Sequence, residues 1–467
     1  MKNNRHRTDG AFCSPGAQAA DPGMPGLRNK LASISFERIA FGVVLGLAAY
    51  QSNFRSLVFW SLHPSIPGLV DQIVFEAAGW LLASLLVVWL LLREDNLAIY
   101  WRNLSRQPFL LVFLAICALS ALWSSAPAIT VFRTCVLLTS TMVAAYLGMR
   151  CKAEELLRYL SWLGAAVVAA SIYMSLTDPL LGINRAYGPA VWRGVFWNKN
   201  HLGSLAALVS VVLLLRIADI GFTPRHPAKY LVWLIYAGSL VLVFKSHSAA
   251  GYLLTLMLHA SVILLLSWLR LAERLRRRHY WLFAAVVILT VALSMGYLDA
   301  IFRAFNKDIT MTGRTSLWVY LLQDVVSSRP LLGHGFGSLW GDPDFRNRAH
   351  EKLGFHPVIG DNGFLDILLG VGAVGLAAFM LSYVAAWRGS INCLVRERSV
   401  AGCLPLLVMA FSLFANISFS LLTEIELLVW GLIVAMLFAT SERTVPFRCS
   451  DSTRLNTRYE AKSPGTA

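Results

Sequence analysis

Residues 249–268 read AAGYLLTLMLHASVILLLSW, an apolar stretch without Asp, Glu, Lys or Arg. A helix rises about 1.5 Å per residue, so this stretch is long enough to cross a hydrocarbon core of about 30 Å. Similar blocks recur along the chain and predict an all-α, polytopic membrane protein with about twelve transmembrane helices. The predicted spans are residues 39–56, 74–92, 108–124, 128–148, 158–176, 201–217, 229–245, 249–268, 280–298, 362–386, 403–420 and 423–440.

The composition agrees with this class of protein. Hydrophobic residues make up 57% of the chain and charged residues 14%, whereas a soluble domain has about 45–50% and about 25%. The net charge is +15, which in a soluble protein would indicate nucleic-acid binding. Here basic residues in cytoplasmic connections explain the charge better, so no nucleic-acid partner is expected.

Basic residues also predict the orientation, because they are concentrated in alternate connections, and such connections are cytoplasmic. We therefore expect the bacterial inner membrane as location, with both termini cytoplasmic. Residues 39–442 would form the membrane domain, between disordered tails at 1–38 and 443–467. The basic residues of these connections are Arg93, Arg102, Arg106, Arg150, Lys152, Arg158, Arg225, Lys229, Arg270, Arg274, Arg276, Arg277, Arg278, Arg388, Arg396 and Arg398.

Two longer loops are predicted on the opposite, periplasmic side, at about residues 177–200 and about residues 299–361. The second loop is far longer than a typical connection, which indicates a functional segment. Apolar residues at helical spacing predict short helices in it, including one over 315–326 that lies against the membrane surface. Pro330 and the glycine-rich residues 333–337 are expected to end that helix.

The ionisable residues of the spans cluster at their periplasmic ends, and such residues are costly in a membrane and are candidates for function. A proton- or ion-coupled carrier would need them near the bilayer midplane. Their position instead favours a reaction on a lipid-linked substrate, while a flippase or exporter is the alternative from another class. These residues are Arg133, Lys199, His201, Lys245, Asp361, Asp366, Glu424 and Glu426.

Three arginines are candidates for binding a diphosphate head group: Arg185, Arg193 and Arg314. A guanidinium pairs with phosphate in a bidentate, permanently charged contact. Fixed arginines can stabilise the charge that grows on a departing diphosphate without a metal ion. Each arginine also has an alternative to diphosphate binding: it is a loop residue near lipid phosphates, or it pairs with a carboxylate.

A glycosyl transfer can use a base for the attacking hydroxyl. The candidates are His334, His356, Asp361 and Glu424. A lone histidine is more often structural or solvated. Asp361 precedes Asn-Gly and has the alternative role of a helix N-cap.

Polar residues before the sixth predicted span give a similar choice. Asn198 and Asn200 either bind sugar hydroxyls or cap that span.

Several blocks in order and spacing resemble the O-antigen ligase and Wzy-type polymerase superfamily, particularly the exopolysaccharide polymerases. The resemblance covers roughly residues 120–440. The blocks are WSSAPAITVFR (123–133), RGVFWNKNHLG (193–203), SHS (246–248), GRTSLW (313–318), RPLLGHGFG (329–337) and DNGFLD (361–366) before GAVG (372–375).

The resemblance implies a membrane glycosyltransferase that uses an undecaprenyl-diphosphate-linked glycan, with no metal, cofactor or nucleotide sugar. It implies that Arg193 and Arg314 engage the diphosphate. Members of this superfamily commonly have His before the Asn of the last block, where this chain has Asp361. Either Asp361 or His356 takes that role, or no dedicated base is needed.

The expected reaction is polymerisation, in which a growing lipid-linked glycan moves onto the next lipid-linked repeat unit. A ligase that delivers glycan to lipid A-core is the nearest alternative. Membrane lipids are expected partners, and a flippase and a chain-length regulator of the same pathway are candidate partners. The expected substrate-binding residues are Arg133, Arg185, Asn198, Lys199, Asn200, His334 and Glu424, beside the catalytic set Arg193, Arg314, His356 and Asp361.

Overall fold

The computed structural model describes most of the predicted membrane domain. Two predicted spans, 39–56 and 280–298, lie outside the described residues, as do both predicted tails. Helices dominate the described part, where one isolated β-bridge joins Ile183 to Trp192. The described residues are 69–93, 96–184, 190–196, 198–221, 227–271, 314–355, 357, 359–423 and 428–441.

The helices follow the order of the apolar blocks. They are α1 (Leu69–Arg93), α2 (Leu97–Ser105), α3 (Pro108–Leu119), α4 (Pro127–Arg150), α5 (Ala153–Thr177), α6 (Pro179–Gly182), α7 (Lys199–Ile220), α8 (Pro227–Lys245), α9 (Ala249–Leu271), α10 (Arg314–Tyr320), α11 (Pro343–Leu353), α12 (Gly363–Glu397), α13 (Leu404–Ser418) and α14 (Leu428–Ala439).

Five described helices, α4, α5, α7, α9 and α12, are long and apolar enough to cross a membrane. The pair of α2 and α3 makes a sixth if it counts as one span, although it bends by 89°. Shorter apolar helices cover Leu81–Arg93, Ala401–Ile417 and Leu428–Ala439. The chain is therefore a multi-pass membrane protein, and the count of about twelve spans stays a prediction.

Helix α2 was not predicted, because residues 93–107 read as a cytoplasmic connection. It is short and amphipathic: Tyr100 is buried and its hydroxyl donates to the Met142 carbonyl at 3.2 Å, while Trp101 is exposed. Pro108 occupies the first turn of α3, where its missing N–H costs nothing. The chain therefore turns sharply between the two helices.

The helices pack in two groups. One contains α5, α7, α8 and α9; the other contains α1, α3, α4, α12 and α14, and α13 contacts both. Glycines allow close approach within each group. A Cβ on Gly251 would lie 2.8 Å from Gly203 Cα, and one on Gly148 would lie 2.3 Å from the Ala435 carbonyl oxygen. Small residues of this kind are typical of membrane helix contacts.

The connections predicted to be periplasmic meet at one end of the helices. The Trp192 amide donates to the Lys245 carbonyl at 2.9 Å, and the rings of His201 and Phe419 are 4.9 Å apart. At the opposite end, the Gln107 side chain donates to Ser441 at 3.3 Å. Which of these two ends faces the cytoplasm stays a prediction.

The large loop has a hydrophobic core of its own. Helix α10 continues as a π-helix over Leu321–Val325 and a 3-10 turn over Val326–Ser328, which confirms the predicted helix, while its contact with a membrane surface stays a prediction. The loop packs on the first turns of α12, so it is anchored to a span. The core residues are Leu317, Tyr320, Leu321, Val325, Leu339, Phe345, Ala349, Leu365 and Leu369.

Helix α12 is broken at Gly372, whose φ is +67°. A break leaves backbone groups without helical partners, and each such group costs several kcal/mol in an apolar setting. Backbone groups of the loop segment 330–335 supply the partners. The bonds run from His334 N to Leu369 O (2.9 Å), Gly335 N to Gly370 O (2.8 Å), Ala373 N to Pro330 O (2.9 Å) and Val374 N to Leu331 O (3.2 Å).

Gly372→Ala should destabilise the protein strongly. A Cβ there would lie 2.2 Å from the Leu331 carbonyl carbon. A residue other than glycine also costs about 1–3 kcal/mol at the φ of +67° and ψ of −172° that Gly372 adopts. Gly354→Ala is the matched control, because Gly354 also has a positive φ (+75°) but meets nothing within 4 Å. Thermal unfolding of the purified protein should show a much larger loss for Gly372→Ala; equal losses would contradict the docking.

Candidate active site

The structure places eight of the eleven predicted site residues. Arg185, His356 and Glu424 lie outside the described residues. The other eight lie at the end of the helices where the predicted periplasmic connections meet. Seven of them form two groups, one around Arg314 and one in the segment from Arg193 to the first turn of α7, while His334 packs inside the large loop.

Arg314 and Asp361 form an ion pair, with Arg314 Nε 3.1 Å from Asp361 Oδ2. The two side chains are 17% and 25% exposed. Burial raises the pKa of Asp361, and the guanidinium of Arg314 opposes part of that rise. A carboxylate that is partly desolvated in this way accepts a proton more readily than one in water.

The alternative role of Asp361 as a helix N-cap is wrong. The cap of α12 is Asn362, whose side chain accepts hydrogen bonds from the amides of Phe364 and Leu365 at 3.0 Å. Asp361 has a φ of +52°, a conformation that Asp adopts more easily than most residues. This turn directs its carboxylate to Arg314 instead of to the helix.

Asp366 lies one turn into α12 and is 7% exposed. Its Oδ1 accepts hydrogen bonds from Trp340 Nε1 at 2.9 Å and from the Gly360 amide at 3.2 Å. Its Oδ2 accepts one from the Thr423 hydroxyl at 3.4 Å. Arg133 Nη1 donates to the carbonyl of the same Thr423 at 3.1 Å. We call the set Arg133, Arg314, Trp340, Gly360, Asp361, Asp366 and Thr423 the loop–helix junction.

Arg133 reaches this junction because the loop has a glycine beside it. A Cβ on Gly337 would lie 2.2 Å from Arg133 Cδ. The arginine therefore passes between the glycine-rich segment and the connection from α13 to α14. Its predicted substrate contact is untested, and its observed role is to join these two segments.

Arg193 belongs to the second group and holds a turn. Its Nε donates to the Leu181 carbonyl at 2.7 Å and its Nη2 to the Leu180 carbonyl at 3.2 Å. Burial lowers the pKa of Arg193, but a guanidinium remains charged at neutral pH because its ordinary pKa lies above 12. The fixed positive charge therefore sits at the end of the helices where the connections meet.

Asn198 has the capping role. Its side chain accepts hydrogen bonds from the amides of Asn200 and His201 at 2.9 and 3.0 Å, and Lys199 is the first residue of α7. The Asn200 side chain accepts a hydrogen bond from the Ser248 hydroxyl at 3.1 Å. These contacts join α7 to the start of α9; sugar binding by Asn200 or Lys199 stays a prediction.

His334 packs inside the loop. Its Nε2 is 3.2 Å from the Val325 carbonyl and 3.4 Å from the Ser328 hydroxyl. Burial lowers the pKa of His334, so the ring is neutral at pH 7 and donates to the carbonyl. The observed contacts hold the end of the π-helix, and none of them joins His334 to the loop–helix junction.

Sequence reasoning missed Trp340 and Thr423, and it gave Asp366 no specific role. Trp340 is 26 residues from Asp366 and Thr423 is 57 residues away, so no local spacing signals their contacts. The only sequence signal was Asp366 itself, a carboxylate near the start of an apolar span. Among the described residues, no three His, Cys, Asp or Glu side chains are grouped as metal ligands.

The helices and the docked loop define a multi-pass membrane protein with a charged site at one end. A family model described as O-antigen ligase, Wzy_C, matches residues 231–380. The exopolysaccharide production protein ExoQ of Rhizobium meliloti (strain 1021) is 28% identical over 313 residues, which cover 63% of this chain and 68% of that protein. Residues 231–380 are therefore similar to the O-antigen ligase family.

His334→Gln should reduce the loss of stability in acid. Because burial lowers the pKa of His334 below its ordinary 6.5, the unfolded chain takes up the proton first as the pH falls. The stabilising contribution is therefore complete above about pH 6.5 and lost as the pH falls through the pKa of the folded state. Melting temperatures at pH 7, 6 and 5 should fall less steeply for the variant; parallel curves would contradict this.

Proposed function

We propose that this protein polymerises lipid-linked oligosaccharide repeat units on the membrane face away from the cytoplasm. The growing glycan would leave its undecaprenyl diphosphate and join a sugar hydroxyl of the next lipid-linked unit. The product is a longer glycan on one lipid and a free undecaprenyl diphosphate. The observation that carries the proposal is the partly buried pair of Arg314 and Asp361 where the loop core meets α12.

Asp361 is the proposed base. The acceptor oxygen forms a bond to the anomeric carbon of the donor while the bond from that carbon to the diphosphate oxygen breaks. The proton of the attacking hydroxyl passes to the Asp361 carboxylate, whose pKa is raised by burial. The electron pair of the broken bond stays with the diphosphate.

Arg314 is the proposed stabiliser of the leaving group. Its planar guanidinium can contact phosphate oxygens while its Nε stays near Asp361. A fixed cation of this kind acts where charge develops during bond breaking, and such groups supply a large part of enzymatic rate enhancement. Arg193 supplies a second fixed charge at the same end of the helices.

The name of ExoQ supports a role in exopolysaccharide production, while the matching family model is described as O-antigen ligase, so the ligase reaction is the second candidate. Both reactions would use the same donor and the same leaving group. They differ in the acceptor, which is a second lipid-linked unit for a polymerase and a core lipid for a ligase.

Arg314→Ala should reduce polymer formation about 100-fold or more at equal protein level, because it removes the cation that stabilises the negative charge of the departing diphosphate. Arg314→Lys should recover only part of the activity, since lysine lacks the bidentate geometry. Lys352→Ala is the control: Lys352 pairs with Asp324 at 2.9 Å on an exposed part of the loop. Polymer yield and length would be measured in a deletion strain; wild-type polymer from Arg314→Ala would refute the proposal.

An acceptor exchange separates the two transfer reactions. Purified protein would receive lipid-linked repeat units alone, or together with lipid A-core. Extension of the lipid-linked units is the expected result. Glycan transfer to lipid A-core without extension would show a ligase instead.

A further inference from the structure

We propose that Asp366 is a positioning residue of this site. Asp366 fixes the Arg314–Asp361 pair and links this pair to the rest of the loop–helix junction. This inference rests on the proposed function and extends it to a residue that does not touch the substrate. Asp366 is 7% exposed, so it is too deeply buried to meet a glycan or a lipid head group directly.

The need for hydrogen bonds explains why Asp366 can order its surroundings. A buried carboxylate is costly unless donors surround it. Here the donors come from three separate parts of the chain: Trp340 of the loop, Gly360 at the end of the loop, and Thr423 between α13 and α14. Each segment is therefore held in place by the same side chain.

Gly360 transmits this order to the reactive pair. Its amide donates to Asp366, and its carbonyl accepts a hydrogen bond from Trp318 Nε1 at 2.8 Å. Trp318 lies one helical turn after Arg314 on α10, and Asp361 follows Gly360 directly. The peptide groups that lead into Asp361 are thus fixed by α12 on one side and by the helix of Arg314 on the other.

Thr423 extends the same order to Arg133. Its hydroxyl donates to Asp366 and its carbonyl accepts from Arg133 Nη1. One threonine therefore connects the carboxylate of α12 to the guanidinium of α4. Asp366 brings together residues that lie far apart in the sequence, and it holds them at the end of the helices where the site lies.

Asp366→Asn tests the positioning role in full-length protein reconstituted in nanodiscs. The amide has the same size but is neutral, so the hydrogen bonds from Trp340 and the Gly360 amide lose their charged acceptor. With lipid-linked repeat units extracted from cells that lack this protein, kcat should fall about 10–100-fold, as for a misplacement of about 1 Å. KM should change less than about threefold, because the substrate contacts remain.

Gly360→Ala gives a second test that leaves Asp366 unchanged. A Cβ there would lie 2.6 Å from Asp366 Oδ1, so the methyl group disrupts the same contact. The variant should reproduce the loss of kcat. Asp324→Asn is the matched control, because Asp324 is a carboxylate of the same loop that is 45% exposed and pairs with Lys352; it should keep the wild-type kcat.

A double-mutant cycle separates positioning from general stabilisation. If Asp366 acts through Asp361, Asp366→Asn should lower the residual rate of an Asp361→Ala variant by less than about threefold. A full additional loss would overturn the positioning role. Wild-type kcat in both Asp366→Asn and Gly360→Ala, beside an inactive Arg314→Ala, would also overturn it and leave the proposed function intact.

Discussion

The broken helix α12 is the constraint on which the rest of the structure depends. A helix interrupted inside an apolar setting must find partners for its free amides and carbonyls. The loop supplies them through the backbone of residues 330–335, in four hydrogen bonds of 2.8–3.2 Å. Glycines select one register of the loop on the helix, because a Cβ on Gly333 would lie 2.7 Å from the Gly370 carbonyl carbon and one on Gly372 would lie 2.2 Å from that of Leu331. The position of Arg314 relative to α12 follows from that register.

The charged residues of the loop–helix junction lie where the loop packs on α12. Asp361 lies directly before α12, and Arg314 begins the helix that the loop core packs against α12. Their ion pair is partly buried, and a buried charge is tolerated when it is paired and hydrogen-bonded. Asp366, one turn later, satisfies donors from three segments and extends this principle through the junction. These charged groups therefore lie at the start of the span whose backbone is interrupted at Gly372.

Much of the fold follows from the sequence, because the apolar blocks and the alternating basic connections carry strong physical signals. The motif at 361–366 contains both the helix cap and the carboxylate of the ion pair. The sequence alone could not show that Asn362 is the cap and that Asp361 pairs with Arg314. Helix α2 was missed because nine residues with one apolar face give a weak pattern. The partners of Gly372 and Asp366 come from distant segments, and only tertiary structure shows which backbone or side-chain group meets them.

We infer that the turn at Leu180 and Leu181, which Arg193 holds, and the loop–helix junction face the same aqueous compartment. Single cysteines at His247 and Leu331, both exposed, would be placed in a background without the seven native cysteines. A membrane-impermeant maleimide should label both from outside spheroplasts, whereas a cysteine at Ser105 should react only in inverted vesicles. Labelling of His247 and Leu331 positions from opposite sides of the membrane would contradict the account.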